Sequence, residues 1–410
     1  MTDSTQRRAA RIIERLDTLF EIGRDAGTNR PGLNEGEQRA HELVAGWMRE
    51  AGLDVTVDGA GNLLGRAPGA DPAAAEVWTG SHLDTPPDGG RFDGALGVVA
   101  ALDVTEAIRA SGGARCTIAV VAFRLEEGPR FGRGVFGSRA LFGELEPDEA
   151  DLVDADGVTL GQAFAALGLG EMLPSGPILD RPPACFVEAH IEQGPTLAAR
   201  GSPLGLVTSI AGMAGIELVF TGRRGHAGTV PMALRSDALA AAAGFVRRVY
   251  DGARALPGAV ATVGRMDVLP GATNTIPGRV ELFADLRAPD AERLEALIGA
   301  ATSAAGTAAA DASCAVELLP RWRYAPVQMH AEPAGALRRA IAAAGVEVVE
   351  LPSGAGHDAA ILATAGVPSA MLFVRSDAGG VSHAPEESTG ADAVALGVEV
   401  LEAAIRELAG

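Results

Sequence analysis

Residues 76–123 read EVWTGSHLDTPPDGGRFDGALGVVAALDVTEAIRASGGARCTIAVVAF, and their order decides the architecture. A strand-like run at 76–80 is followed by a loop, a helical pattern over 94–110 and a second apolar run over 116–123. Strand, helix, strand predicts a crossover unit and a sheet with parallel strands. Open sheets of this kind build their sites where strand ends meet helix N-termini. Here His82 and Asp84 follow the first strand, and Asp93 stands directly before the helix. The prolines and glycines of TPPDGG let the loop fold back and bring Asp93 beside His82.

Outward from this unit the alternation continues. Residues 34–51 read as a helix, with Asn34 as cap, Glu37 three positions on and Gly52 past the end. Strand-like runs lie at 54–57, 186–191 and 203–210. From about residue 212 the rhythm changes to a strand at 216–221, a helix at 237–250, strands at 260–267 and 279–287, a helix at 291–304 and a strand at 314–320. That βαββαβ order is the split ferredoxin-like pattern. Beyond it come a helix at 334–344, a strand at 346–351, a helix at 357–365, a strand at 369–374 and a last helix at 391–408. The expected fold is a larger α/β domain with a mixed sheet, residues 1–211 and 325–410, interrupted by an inserted domain over 212–324.

Composition agrees with an ordinary globular chain. A length of 410 residues exceeds what one core serves, and 47% hydrophobic with 21% charged residues excludes large-scale disorder. No apolar run approaches the ~20 residues of a membrane span. The charged first residues lack a secretory apolar block, so a cytoplasmic protein with no membrane partner is expected. The odd set Cys116, Cys185 and Cys314 lies in strand-like stretches and reads as buried thiols. A net charge of −19 argues against a nucleic-acid partner.

The chemistry gathers at strand and loop ends. Glu126 and Glu127 follow the strand over 116–123; adjacent acids are commonly just a solvated turn, yet neighbouring side chains diverge, so one could bind a metal and the other act as a base. His190 lies in FVEAHIEQGPTL with Gln193 close behind, and His383 lies in GGVSHAPEES before the last helix. Together His82, Asp93, Glu127, His190 and His383 would make two imidazole-carboxylate sets sharing one bridging aspartate, suited to two divalent ions. His41 within a helix and His330 before one lack an acid at ligand spacing and read as structural.

The segments SHLDT…GGRFDGALG, EEGPRFGRGVFGSRALFG, HIEQGPTL, GHAGTVPMALRSDALAAA, TNTIPGRVELFADLRAP, SGAGHDA and VSHAPEE, in this order, resemble the dinuclear metal amidohydrolases of the N-carbamoyl-L-amino acid hydrolase family, which includes allantoate amidohydrolase and β-ureidopropionase. The resemblance implies that His82, Asp93 and His190 hold one metal, and that Asp93, Glu127 and His383 hold the other. It implies Glu126 as general base and Asp84 as the carboxylate orienting the His82 ring. It implies that His226 crosses a homodimer interface formed by the inserted domain to meet the substrate. Gln193, Asn274 and Arg287 match substrate-binding positions, and His357 a pocket-lining one. The ions would be zinc, with manganese, cobalt or nickel also accepted by such donors. The substrate would be a small carboxylate or ureide: an N-carbamoyl-L-amino acid or an allantoate-like compound, cleaved at its C–N bond. Pro86, Asp88 and Pro129 depart from the family pattern and bear on substrate preference.

The alternative is a metallo-exopeptidase or N-acyl amino acid deacylase of the same architecture. Such relatives generally place an acid where this chain has His190, and an imidazole there leaves the site one unit more positive. A binding protein that has lost catalysis is disfavoured, because every ligand position and Glu126 are intact.

Overall fold

The crossover expected over 76–123 forms. Val77–His82 and Ile118–Phe123 pair in parallel with His82 opposite Phe123, and Ala95–Ala110 is the helix between them. Every residue of both strands is buried, which is why they read as near-continuous apolar runs rather than alternating ones.

This computed structural model describes residues 3–410, in two compact units. One comprises the chain up to Thr208 with Met329–Leu351 and Gly356–Gly410; the other comprises Ser209–Gln328 with Pro352–Ala355. The first unit carries a mixed sheet in the order Asp54–Val57, Leu63–Ala67, Ile118–Phe123, Val77–His82, Cys185–Ile191, Ser369–Val374, Leu204–Ile210. The four central strands run parallel, and the flanking ones antiparallel. Its core joins Val98, Val99 and Leu102 of the crossover helix to Val394, Leu401 and Ile405 of the last helix, Ala391–Ala409.

Besides the short helices Phe136–Leu141, Leu160–Ala166 and Thr196–Arg200, one long helix and one strand of this unit were not expected. The helix Asp3–Phe20 is rich in charge, yet Ile12, Leu16 and Leu19 line one buried stripe. Arg8 and Arg11 of this helix pair with Asp103, a fully buried acid of Ala95–Ala110. The strand Leu63–Ala67 contains Gly65, which blurs its pattern; there Met48 packs so closely that a Cβ would sit 2.6 Å from its sulfur. The strand expected over 346–351 begins only at Glu350, because Val346 and Val348 turn onto the core instead.

In the second unit four strands lie in the antiparallel order Ala315–Tyr324, Gly212–Thr221, Arg279–Ala288, Val260–Leu269, the order a βαββαβ chain produces. Helices Ala238–Arg254 and Ala291–Asp311 pack on one face around Phe220, Phe245, Leu282 and Leu286. The second helix outruns the expected 304 end because Ala305, Ala308 and Ala309 continue its buried stripe.

Candidate metal centre

The four central strands of the first unit end on one side of the sheet, and the residues singled out from the sequence follow those ends. His82 closes Val77–His82, and Glu126 and Glu127 come just after Ile118–Phe123. His190 is the penultimate residue of Cys185–Ile191, and His383 lies beyond Ser369–Val374. Asp93 stands in the turn before Ala95–Ala110. Gly94 makes the close approach possible: its φ is +63°, and a Cβ there would lie 2.4 Å from the His82 ring.

Asp93 divides its carboxylate between two groups. Its Oδ1 lies 3.2 Å from His190 Nε2 and 3.7 Å from His82 Nε2. Its Oδ2 lies 3.2 Å from His383 Nε2, which is itself 3.3 Å from Glu127 Oε1. Ligands about 2.1 Å from a tetrahedral ion stand roughly 3.4 Å apart, so both groups have the spacing of donors around a shared cation. The Nδ1 atoms of His82 and His190 face backbone carbonyls, of Asp84 at 3.1 Å and Ile191 at 2.9 Å, which leaves each Nε2 as the ligand atom. The donor set therefore fits two divalent ions.

Electrostatics point the same way. Burial alone would raise Asp93, but His190, His383 and His82 around it hold it well below the usual carboxylate range. The hydrogen bonds to Asp93 and Glu127 push His383 up to about 11. Burial pushes Glu126 well above its ordinary value against the pull of His82, with Glu127, Asp358 and Asp84 adding repulsion. Glu126 Oε2 lies 3.9 Å from His82 Nε2, at the edge of the first group.

The backbone of the Glu126–Glu127 pair is held from behind. Asp84 Oδ1 accepts the N–H of Glu126 at 3.1 Å, and Oδ2 that of Glu127 at 2.9 Å. The sequence assigned Asp84 to the His82 ring alone, and its Oδ1 is indeed 3.4 Å from Nδ1; the shorter bonds go to the acid pair. One residue earlier, Leu125 takes a left-handed φ of 48°, and its N–H donates to Glu37 Oε1 at 2.9 Å. Glu37 is fully buried beside Arg124. Sequence reading took Glu37 as a helix-cap residue. Asn34 does cap the helix, accepting from Glu37 N–H at 2.8 Å, but the Glu37 carboxylate reaches Leu33 and Leu125 instead. Glu188 is another buried acid that sequence alone did not mark: it accepts from Ser81 Oγ at 2.7 Å and Ala359 N–H at 3.1 Å.

Gln193 joins the centre, its Nε2 2.8 Å from Asp93 Oδ2 and its Oε1 buried without a hydrogen-bond partner. His357 lies behind His190, ring centroids 4.6 Å apart, and is only 2% exposed, a buried neighbour more than an open pocket wall. The second unit holds the other three candidates. His226 is exposed, and its Nδ1 accepts the N–H of Gly228 at 3.1 Å. Asn274 adjoins it, its carbonyl accepting from Ala227 at 2.9 Å. Arg287 is already engaged on one side: Nε and Nη2 clasp Asp285 at 2.8 and 2.9 Å, and Nη1 donates to the Gly354 carbonyl at 2.8 Å.

Comparison with known proteins gives this geometry its setting. The N-carbamoyl-L-amino acid amidohydrolase of Geobacillus stearothermophilus is 40% identical over 403 residues, 97% of this chain and 98% of that protein. A probable allantoate deiminase of Oryza sativa subsp. japonica is 35% identical, covering 91% of this chain and 83% of its own. The crystal structure of an amidase of the hydantoinase/carbamoylase family from Burkholderia multivorans superposes with a TM-score of 0.88 at 35% identity, over 98% of each chain. The model of one family matches residues 78–407, most of the chain and all five clustered donors: the protein belongs to peptidase family M20/M25/M40.

Proposed function

We propose that this protein is an amidohydrolase that cleaves the C–N bond of an N-carbamoyl-L-amino acid or an allantoate-like ureide at a centre of two divalent metal ions. Enzymes of the family are metal-dependent. The observation that carries the reading is the division of the Asp93 carboxylate between the His82–His190 group and the Glu127–His383 group, with Glu126 beside them, its Oε2 3.9 Å from His82 Nε2. Ions held there, zinc being the first candidate, would lower the pKa of water towards ~7 and polarise the scissile carbonyl.

The chain's own residues do the rest. Glu126 takes the proton of the attacking water and passes it to the leaving nitrogen. Asp84 keeps Glu126 aimed by holding its N–H. His226 offers a donor to the oxygen on which charge develops. Arg287 binds the substrate carboxylate through the Nη1–Nη2 edge that Asp285 leaves open, with Asn274 and Gln193 as further contacts.

The second unit would form a two-fold dimer through which His226 serves the partner's site. The edge strands Val260–Leu269 and Ala315–Tyr324 support this, since exposed Val260, Leu269 and Tyr324 are apolar groups of a kind that association covers. Mixing Glu126→Ala and His226→Ala chains under exchange tests it. Random pairing makes half the dimers hybrid with one live site of two, so about a quarter of wild-type activity should return. No recovery after confirmed exchange would place His226 in its own chain's site or in none.

The reaction is tested by ammonia release from N-carbamoyl-L-amino acids and allantoate, with N-acetyl amino acids assayed alongside for amine release. Chelation should abolish turnover and metal should restore it. Faster cleavage of the N-acetyl compounds would replace this reading with a deacylase.

A further inference from the structure

Three of the five proposed ligands, Asp93, Glu127 and His383, stand on loops, whereas His82 and His190 are held within paired strands opposite Phe123 and Phe373. His383 has the least support of its own. Its side chain is 48% exposed, and its backbone takes a left-handed φ of 55°. Besides Asp93 at 3.2 Å, its Nε2 meets Glu127 Oε1 at 3.3 Å and Gln193 Nε2 at 3.4 Å, and none of these contacts fixes the backbone that carries it.

Glu387, four residues on, links the loops of Asp93 and His383. It is 5% exposed. Its Oε1 accepts the N–H of Phe92 at 2.7 Å and of Asp93 at 3.0 Å. Its Oε2 accepts the hydroxyl of Ser382 at 2.8 Å, and that oxygen stands 3.2 Å from Asp93 Oδ2. The carboxylate sits against Gly90, where a Cβ would lie 2.3 Å from Glu387 Oε1. Gly90 does not have a positive φ, so space for Glu387 is what a glycine supplies there. Both oxygens of Glu387 are taken up by these bonds, and it is absent from every group of donors close enough to share an ion among the described residues.

We propose that Glu387 is a positioning residue for the second metal: one buried carboxylate clamps the backbone of the bridging Asp93 to the turn that carries His383, and so sets the spacing of the Asp93–Glu127–His383 donors. The inference rests on the two-ion reading above. Its consequence is selective, because the first set keeps His82 and His190 on their strands when the clamp is removed, whereas the second set loses the relation between Asp93 and His383.

The test is a Zn²⁺ titration of the chelator-stripped full chain, with bound metal measured by elemental analysis and affinity by competition with a chromophoric chelator. Wild type should bind two ions. Glu387→Ala should keep the tighter ion and weaken the other by roughly 10- to 100-fold, the scale of lost support behind a ligand. Glu387→Gln should restore much of that loss, because its amide oxygen can still accept both N–H groups. Gly90→Ala pushes on the same carboxylate from the other side and should copy Glu387→Ala in milder form. Two ions at wild-type affinity in Glu387→Ala would overturn the proposal. If Glu387→Ala does not fold, Gly90→Ala decides, and equal weakening of both ions there would overturn it as well. A wild-type chain that takes up one ion or none would instead remove the two-ion reading, leaving the clamp without its object.

Discussion

The residues proposed for chemistry and those proposed for recognition are held in opposite ways. Around Asp93 every proposed ligand but His383 is buried, and the acid pair is fixed from behind, by Asp84 on the N–H groups of Glu126 and Glu127 and by Glu37 on that of Leu125. In the second unit His226 is exposed, and Arg287 is aimed by a single neighbouring acid, Asp285. The first arrangement suits bonds that must form at fixed distances, and the second suits a substrate whose side chain varies. Loss of a group in the first region should therefore act on turnover or metal content, and loss of Arg287 in the second on substrate affinity.

The sharpest challenge to this contrast is Glu126→Gln, expected to retain its metal and lose at least ~10²-fold in kcat. Glu127→Gln should instead lose metal, and an exchange of the two phenotypes would reverse the assignment of the pair. Asp84→Asn comes next. Its amide can satisfy only one of the two N–H groups and turns a donor towards the other, so metal affinity or activity should fall roughly 10- to 100-fold. Wild-type metal titration and kcat would show that the acid pair needs no such support. Arg287→Lys keeps the charge but cannot span both Asp285 and the Gly354 carbonyl. KM for a carboxylate substrate should rise about tenfold or more, with kcat much less affected. A drop in kcat at constant KM would dissolve the division between the regions. The smallest effect belongs to Asn34→Ala, which removes the cap of Glu35–Glu50 and should cost about 1 kcal/mol in thermal unfolding, with KM unchanged.

What was legible in the sequence follows from which interactions are local. His82, Asp93, Glu127, His190 and His383 each sit beside a strand end or a turn marked by glycine or proline, so their periodicity and punctuation announce them, and the fold brings them together in the expected two sets. The antiparallel strand order of the second unit follows from its βαββαβ rhythm in the same way. The supports behind the site were hidden because they are distant. Glu37 reads as the third residue of a capped helix, and only its bond to Leu125, 88 residues away, shows its use. Asp84 looked committed to the nearest histidine, since its stronger bonds lie more than forty residues ahead. Gly65 concealed a strand for a related reason: the pattern that would mark it was given up for contact with Met48 from another element.

Asp93 also has a history in time. Its Oδ1 meets His82 and His190, while its Oδ2 meets Gln193 and, much later in the chain, Ser382 and His383, the former 289 residues further along. Contacts of such separation close late in folding, after the intervening loop entropy has been lost. A second ion at the proposed centre would therefore bind only a chain that has already found its native topology, and it would stabilise that state by mass action, by about 2.7 kcal/mol at a free concentration of a hundred times its dissociation constant. Metal supply would then act as a clock on maturation: in a starved cell the protein would reach its fold and linger there unfinished, more easily reopened at the loop that carries His383.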